Sequence, residues 1–89
     1  MNGNAKLHGI CNAAFFPTRP EGAETWYADR ADRDAALDAL RNRAVAAGLS
    51  PSAARAGIYP IAARASVVRR EHAAAPLHVR VVDDLADVL

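Results

Sequence analysis

A chain of 89 residues, 52% of them hydrophobic, is a single small domain (1–89) with a modest core, and its formal net charge of +1 excludes a general polyanion binder. Much of the apolar fraction is Ala, so Phe15, Phe16, Trp26, Tyr27, Tyr59 and the Val, Leu and Ile residues must supply most of the core; a homodimer that buries further surface is an expectation of that shortage. The single cysteine, Cys11, excludes an internal disulfide and fits a reducing compartment.

In chain order, Lys6 to Phe16 reads as a first strand with apolar character on both faces. The same stretch does not read as a signal sequence: its one Lys precedes an apolar run broken by His8, Gly9 and Asn12, without a cleavage site. No run reaches membrane-spanning length, so the expectation is a cytoplasmic protein without a membrane partner. Pro17 to Gly22 is a loop by composition, and Ala23 to Asp29 reads as a second strand through Thr25, Trp26 and Tyr27. The two strands make a hairpin with a long tip.

The segment from Asp32 to Leu49 has a start, a body and a stop that agree on one helix. Asp32 suits the cap, and Asp34 lies near the positive end of the dipole. Ala36, Leu37, Leu40, Ala44 and Ala47, flanked by Val45, form an apolar stripe over 32–47. Gly48 suits a left-handed C-terminal stop, Leu49 folds back on the helix, and Ser50-Pro51 ends it. Ser50, Pro51 and Gly57 then bracket a short second helix.

Ile58 to Ile61 reads as extended or irregular. Ala63 to Arg70 reads as a third strand, with a helix over 61–75 as the competing reading, since Ala and Arg are good helix formers. Leu77 to Asp83 reads as a fourth strand, with Leu77, Val79 and Val81 on one face and His78 and Arg80 on the other. The expected fold class is α+β, a β-β-α-β-β two-layer sandwich with an antiparallel sheet and one principal helix packed on one face. In the tail, Leu85, Val88 and Leu89 stand at helical spacing after Asp83 and Asp84, which suits a turn that closes the core or docks on a partner.

His8 and Cys11 have a metal-like spacing, and His72 and His78 are the other histidines. Residues three apart on a strand point to opposite faces, so no metal site and no cofactor is expected. Cys11 lacks an adjacent base, Asp83 and Asp84 diverge, and there is neither a phosphate loop nor a nucleophile elbow; the expectation is a protein that is not an enzyme.

Charge is divided along the chain. Glu21, Glu24, Asp29, Asp32, Asp34 and Asp38 crowd the first half, whereas Glu71 alone offsets the arginines between Ala39 and Val82. If the third and fourth strands pair, Arg64, Arg70 and Arg80 form one basic patch beside His78. Trp26 and Tyr27 point to opposite faces, so one of them is expected to be exposed; with Arg69 and that aromatic, taken as Trp26, the patch suits carboxylate or phosphate groups of a partner. The functional expectation is a small binding protein that docks on a macromolecular, chiefly protein, partner. Its concrete version is a phage or mobile-element inhibitor of the anti-CRISPR or anti-defence kind. The alternative rests on Ala44 to Gly57. Its small residue, turn glycine, apolar residue and serine resemble the helix-turn-helix centre of bacterial repressors, and the resemblance implies a DNA-binding regulator in which Ser52 and Arg55 meet the bases. The segment departs from that pattern at Ala54 and Gly57, where the family places bulky apolar anchors, and at Pro60, which follows early.

Overall fold

The computed structural model describes residues 4–85. β1 (Lys6–Asn12) and β2 (Ala23–Tyr27) form the expected hairpin, antiparallel from His8 opposite Tyr27 to Asn12 opposite Ala23. Both strands are shorter than the sequence suggests. Asn12 ends β1: its Oδ1 accepts from the Phe15 amide at 2.9 Å and its Nδ2 donates to the Phe15 carbonyl, a local turn that competes with the ladder.

α1 (Arg30–Ala46) begins before Asp32. Asp29, still extended at the end of the hairpin, is the cap, and its Oδ1 accepts from the Ala31 amide at 2.9 Å. Asp32 lies in the first turn instead. Leu37 and Ala44 are buried and Ala36 and Leu40 are half-buried, as the stripe requires, but Ala47 and Val45 are exposed. Arg33 replaces them at the other end of the stripe, one turn before Leu37, and is buried. Gly48 adopts φ +111°, and the Leu49 amide donates back to the Ala44 carbonyl at 3.0 Å, the expected stop. α2 (Pro51–Gly57) follows with Ser50 as its cap, Oγ accepting from the Ala53 amide at 3.2 Å. Gly57 is required by a close approach: a Cβ there would collide with that of Ala14, whose neighbour Ala13 donates its amide to the Gly57 carbonyl at 2.7 Å.

The second half of the chain differs from expectation. The third strand, β3, is Ile58–Arg64, and α3 (Ala65–Ala74) occupies most of the segment read as strand. Pro60 obscures β3, yet β3 pairs only with β1, at the sheet edge, where a missing amide is tolerated. β4 (Val79–Val81) is shorter than Leu77 to Asp83 and pairs with β2 in parallel, Trp26 opposite Val81. The sheet order is β3-β1-β2-β4. Joining two strands that run the same way needs a crossover, and a helix is its usual form; α3 carries the chain from one edge of the sheet to the other. That requirement, together with Ala and Arg content, outweighs the β preference of Val67 and Val68.

Over the described residues the molecule is therefore a small α+β domain with a mixed four-stranded sheet and three α-helices, rather than an antiparallel two-layer sandwich. Side chains alternate between two cores. Leu7, Trp26 and Val79 pack with Ala65 and Val68 of α3 and with Leu85 of a 3-10 turn (Asp83–Leu85). Ile10 and Ile58 pack on the opposite face with Leu37, Ala44 and Ala54 of α1 and α2. Gly9 lets Trp26 lie across β1: a Cβ would stand 2.8 Å from the Trp26 ring and 2.9 Å from Ile61. Leu85 is the buried part of the tail, and the expected contribution of Val88 and Leu89 lies outside the described residues. Among the described residues, no helix is long and apolar enough to cross a membrane.

Candidate functional site

On the face that carries α1, the helix covers β1 and β3 and leaves the β2–β4 side open. Two arginines hold the covered side. Arg33 Nη1 donates to the carbonyls of Gly9 and Ile61, each at 3.1 Å, and its Nε donates to Asp34 Oδ1 at 2.7 Å. Arg41 Nε donates to the Ile58 carbonyl at 2.8 Å and its Nη2 to that of Arg55 at 3.2 Å, which ties α1 to the end of α2.

The open side forms a groove of about 470 Å³. One wall is the flank of α1 that carries Ala36, Leu40 and Arg43, and the other is Thr25 and Tyr27 of β2 with Arg80 of β4. The loop residues Pro17 to Arg19 reach into the same space, and Ile10 and Val82 add apolar surface. Three guanidiniums thus line one groove, and none of the described residues lining it is acidic. Arg19 is half-buried; its Nη2 makes a long contact of 3.5 Å with the Glu24 carbonyl, and its buried Nε has no partner among the described residues. Burial pushes the Arg19 guanidinium down from its ordinary value, and the like charge of Arg80 acts in the same direction. Burial raises the Tyr27 hydroxyl; Arg80 opposes that shift and Asp32 adds to it.

This arrangement only partly overlaps the residues singled out from the sequence. Arg80 is in the groove. Arg64 ends β3 at the far edge of the sheet, so the third and fourth strands do not pair and their arginines do not meet. Arg69 and Arg70 belong to α3, and His78 precedes β4 on an exposed turn. Trp26 is 2% exposed and presents no surface; its Nε1 donates to Glu24 Oε1 at 3.4 Å. The aromatic that accompanies an arginine is Tyr27, on the opposite face of β2. Tyr27 is the other of the two candidate aromatics, whereas nothing in the sequence marks Arg19, Arg43 and Thr25, because a parallel pairing between distant strands leaves no local pattern.

The other face carries a carboxyl pair. Glu24 of β2 and Glu71 of α3 approach beside His78, whose carbonyl accepts from the Glu24 amide at 2.6 Å. Burial raises Glu24, and the charge of Glu71 and a hydrogen bond to it raise it further. His8 and Cys11 lie on opposite faces of β1, and no group of three His, Cys, Asp or Glu suited to a metal ion occurs among the described residues. Cys11 faces Tyr59, and the hydrogen bond between them is the chief cause of a raised Tyr59 hydroxyl. On α2, Ser52 and Arg55 are exposed, but the helix ends after seven residues and runs directly into β3. No family model, no curated protein and no solved structure matches the chain.

Proposed function

We propose that this is a small non-enzymatic binding protein that works by occupying the surface of a protein partner, with the groove between α1 and the β2–β4 edge as its contact site. The observation that carries the reading is the set Arg19, Arg43 and Arg80 around one groove with no carboxylate among the described residues that line it. Like charges gathered without partners cost stability, and a complementary anionic surface recovers that cost on binding. An inhibitor of the anti-CRISPR or anti-defence kind is the concrete form of this reading.

Affinity capture from the native host, followed by mass spectrometry, tests it. The expected result is a discrete protein retained by the wild type and by Arg30→Gln, which changes an exposed charge outside the groove, and lost on Arg43→Glu with Arg80→Glu. Undiminished capture by that double variant overturns the groove as the contact site. The exposed Ser52 and Arg55 favour the second reading, a DNA binder through α2. For it, duplex affinity falls steeply with salt and drops on Arg55→Ala.

A further inference from the structure

We infer that the group received by the groove is a carboxylate borne by an acidic side chain of the partner, with an apolar neighbour lying against Leu40 and Val82. This inference rests on the docking reading and adds the chemistry of the ligand to it.

Charge sets the sign of the ligand. Arg19 and Arg80 line the same groove, the positive charge of Arg80 weakens the hold of the partly buried Arg19 on its proton, and a buried Nε of Arg19 lacks an acceptor among the described residues. An oxyanion supplies both missing elements at once, a counter-charge and an acceptor, and guanidinium forks bind carboxylates through paired hydrogen bonds. The choice of oxyanion follows from what lines the groove. Phosphate sites usually gather backbone amides at a helix N-terminus or in a nest. Here α1 contributes its middle and last turns, with Leu40 and Arg43, while its N-terminus lies elsewhere. The donors are side-chain forks set among Ile10, Leu40 and Val82, an environment for an anionic head joined to an apolar body.

Exposure sets the source. Arg43 and Arg80 are exposed, as are Pro17 and Thr18 at the loop end, so the groove is open along its rim. Pockets for free small molecules enclose most of their ligand, whereas an open channel suits a segment of chain that crosses it and leaves on both sides.

Titration of the isotope-labelled protein, read by backbone amide shifts, tests the inference with four probes. They are the capped tripeptide Leu-Glu-Leu, its Leu-Gln-Leu counterpart, hexanoate and inorganic phosphate. The expected result is saturable movement of the Thr25, Tyr27, Leu40 and Arg80 amides with the glutamate peptide, at least tenfold weaker binding of the glutamine peptide, and a comparable loss on Arg80→Gln. Melting of Arg80→Gln at the wild-type temperature confirms that its loss of binding is local. Equal binding of both peptides overturns the carboxylate. Phosphate binding tighter than the glutamate peptide assigns the groove to phosphate, and hexanoate binding tenfold tighter assigns it to a free organic acid; either result overturns the inference. Absence of shifts with all four probes also overturns it. Host-protein capture that depends on Arg43 and Arg80 while no acidic probe binds leaves docking intact and removes the carboxylate. Capture that ignores the groove while the glutamate peptide fills it removes the docking reading instead.

Discussion

The two halves of the α1 face use the same side chain for opposite purposes. On the covered half, Arg33 and Arg41 lie under or beside the helix and spend their donors on carbonyls of Gly9, Ile61, Ile58 and Arg55. On the open half, Arg19, Arg43 and Arg80 share a groove in which no described lining residue is acidic. A guanidinium in contact with backbone carbonyls is a structural clamp, and under the proposed function one that shares a groove with other guanidiniums is a receptor for an anion. What separates them is the supply of acceptors, which depends on whether a helix presses the arginine onto strand ends or leaves it at a rim.

The largest contrast is expected from aspartate on each half. Leu37→Asp buries an unpaired carboxylate against Ile10 and Ile58, a cost of several kcal/mol against a stability on the order of 5 kcal/mol for so small a domain. Circular dichroism should show an unfolded chain. Leu40→Asp faces the groove, where three guanidiniums receive the charge, so it should fold with a loss of about 1–2 kcal/mol. Equal unfolding of both variants would make the groove wall part of the closed core.

Arg33→Met removes donors from two carbonyls and should lower stability by about 2–4 kcal/mol in urea unfolding. Arg80→Gln should stay within about 0.5 kcal/mol of wild type, because Arg80 is exposed and its removal relieves Arg19. If these two effects are alike in size, the distinction between clamp and receptor fails.

The smallest effect concerns pH, on the opposite face of the sheet. Burial and Glu71 raise the Glu24 carboxyl, so the folded chain holds more protons than the unfolded one above the ordinary carboxyl range. Stability from this pair is therefore present at low pH and declines as pH rises through the raised value. Glu24→Gln should flatten that decline and lift the melting temperature slightly at neutral pH; Arg80→Gln should leave the slope unchanged.

Local chemistry made the first half of the chain legible. The loop prolines, the β-formers of 25–27, the stripe through Leu37 and Leu40, the Gly48 stop and the Ser50-Pro51 start all act within a few residues of themselves. Asp29 and Asp32 satisfy the same capping rule, and only the end of β2 decides between them. Later, Pro60 masked an edge strand, and the paired Val67 and Val68 suggested a strand where Val68 packs one turn after Ala65 on a helix. Of the groove, the sequence marks Arg80 and, as one of two candidate exposed aromatics, Tyr27. Arg19, Arg43, Thr25 and Tyr27 come from a loop, a helix and a strand, and they converge only after β4 docks on β2.

That docking gives the site its own order of assembly. β4 is three residues long, pairs in parallel and is the last strand in the chain, whereas β3 meets β1, at a comparable distance along the chain, through a ladder from Ile58 to Arg64. During synthesis the hairpin and its helix emerge with β2 still an open edge, and the third arginine arrives only with the last strand. Loss of those few ladder bonds releases Arg80 without dismantling the core under α1, so the site has a lower opening free energy than the domain that carries it. An anion held by Arg19 and Arg80 together fastens that strand, and amide exchange at Arg80 and Val81 slows as the groove fills, ahead of any change at Leu37.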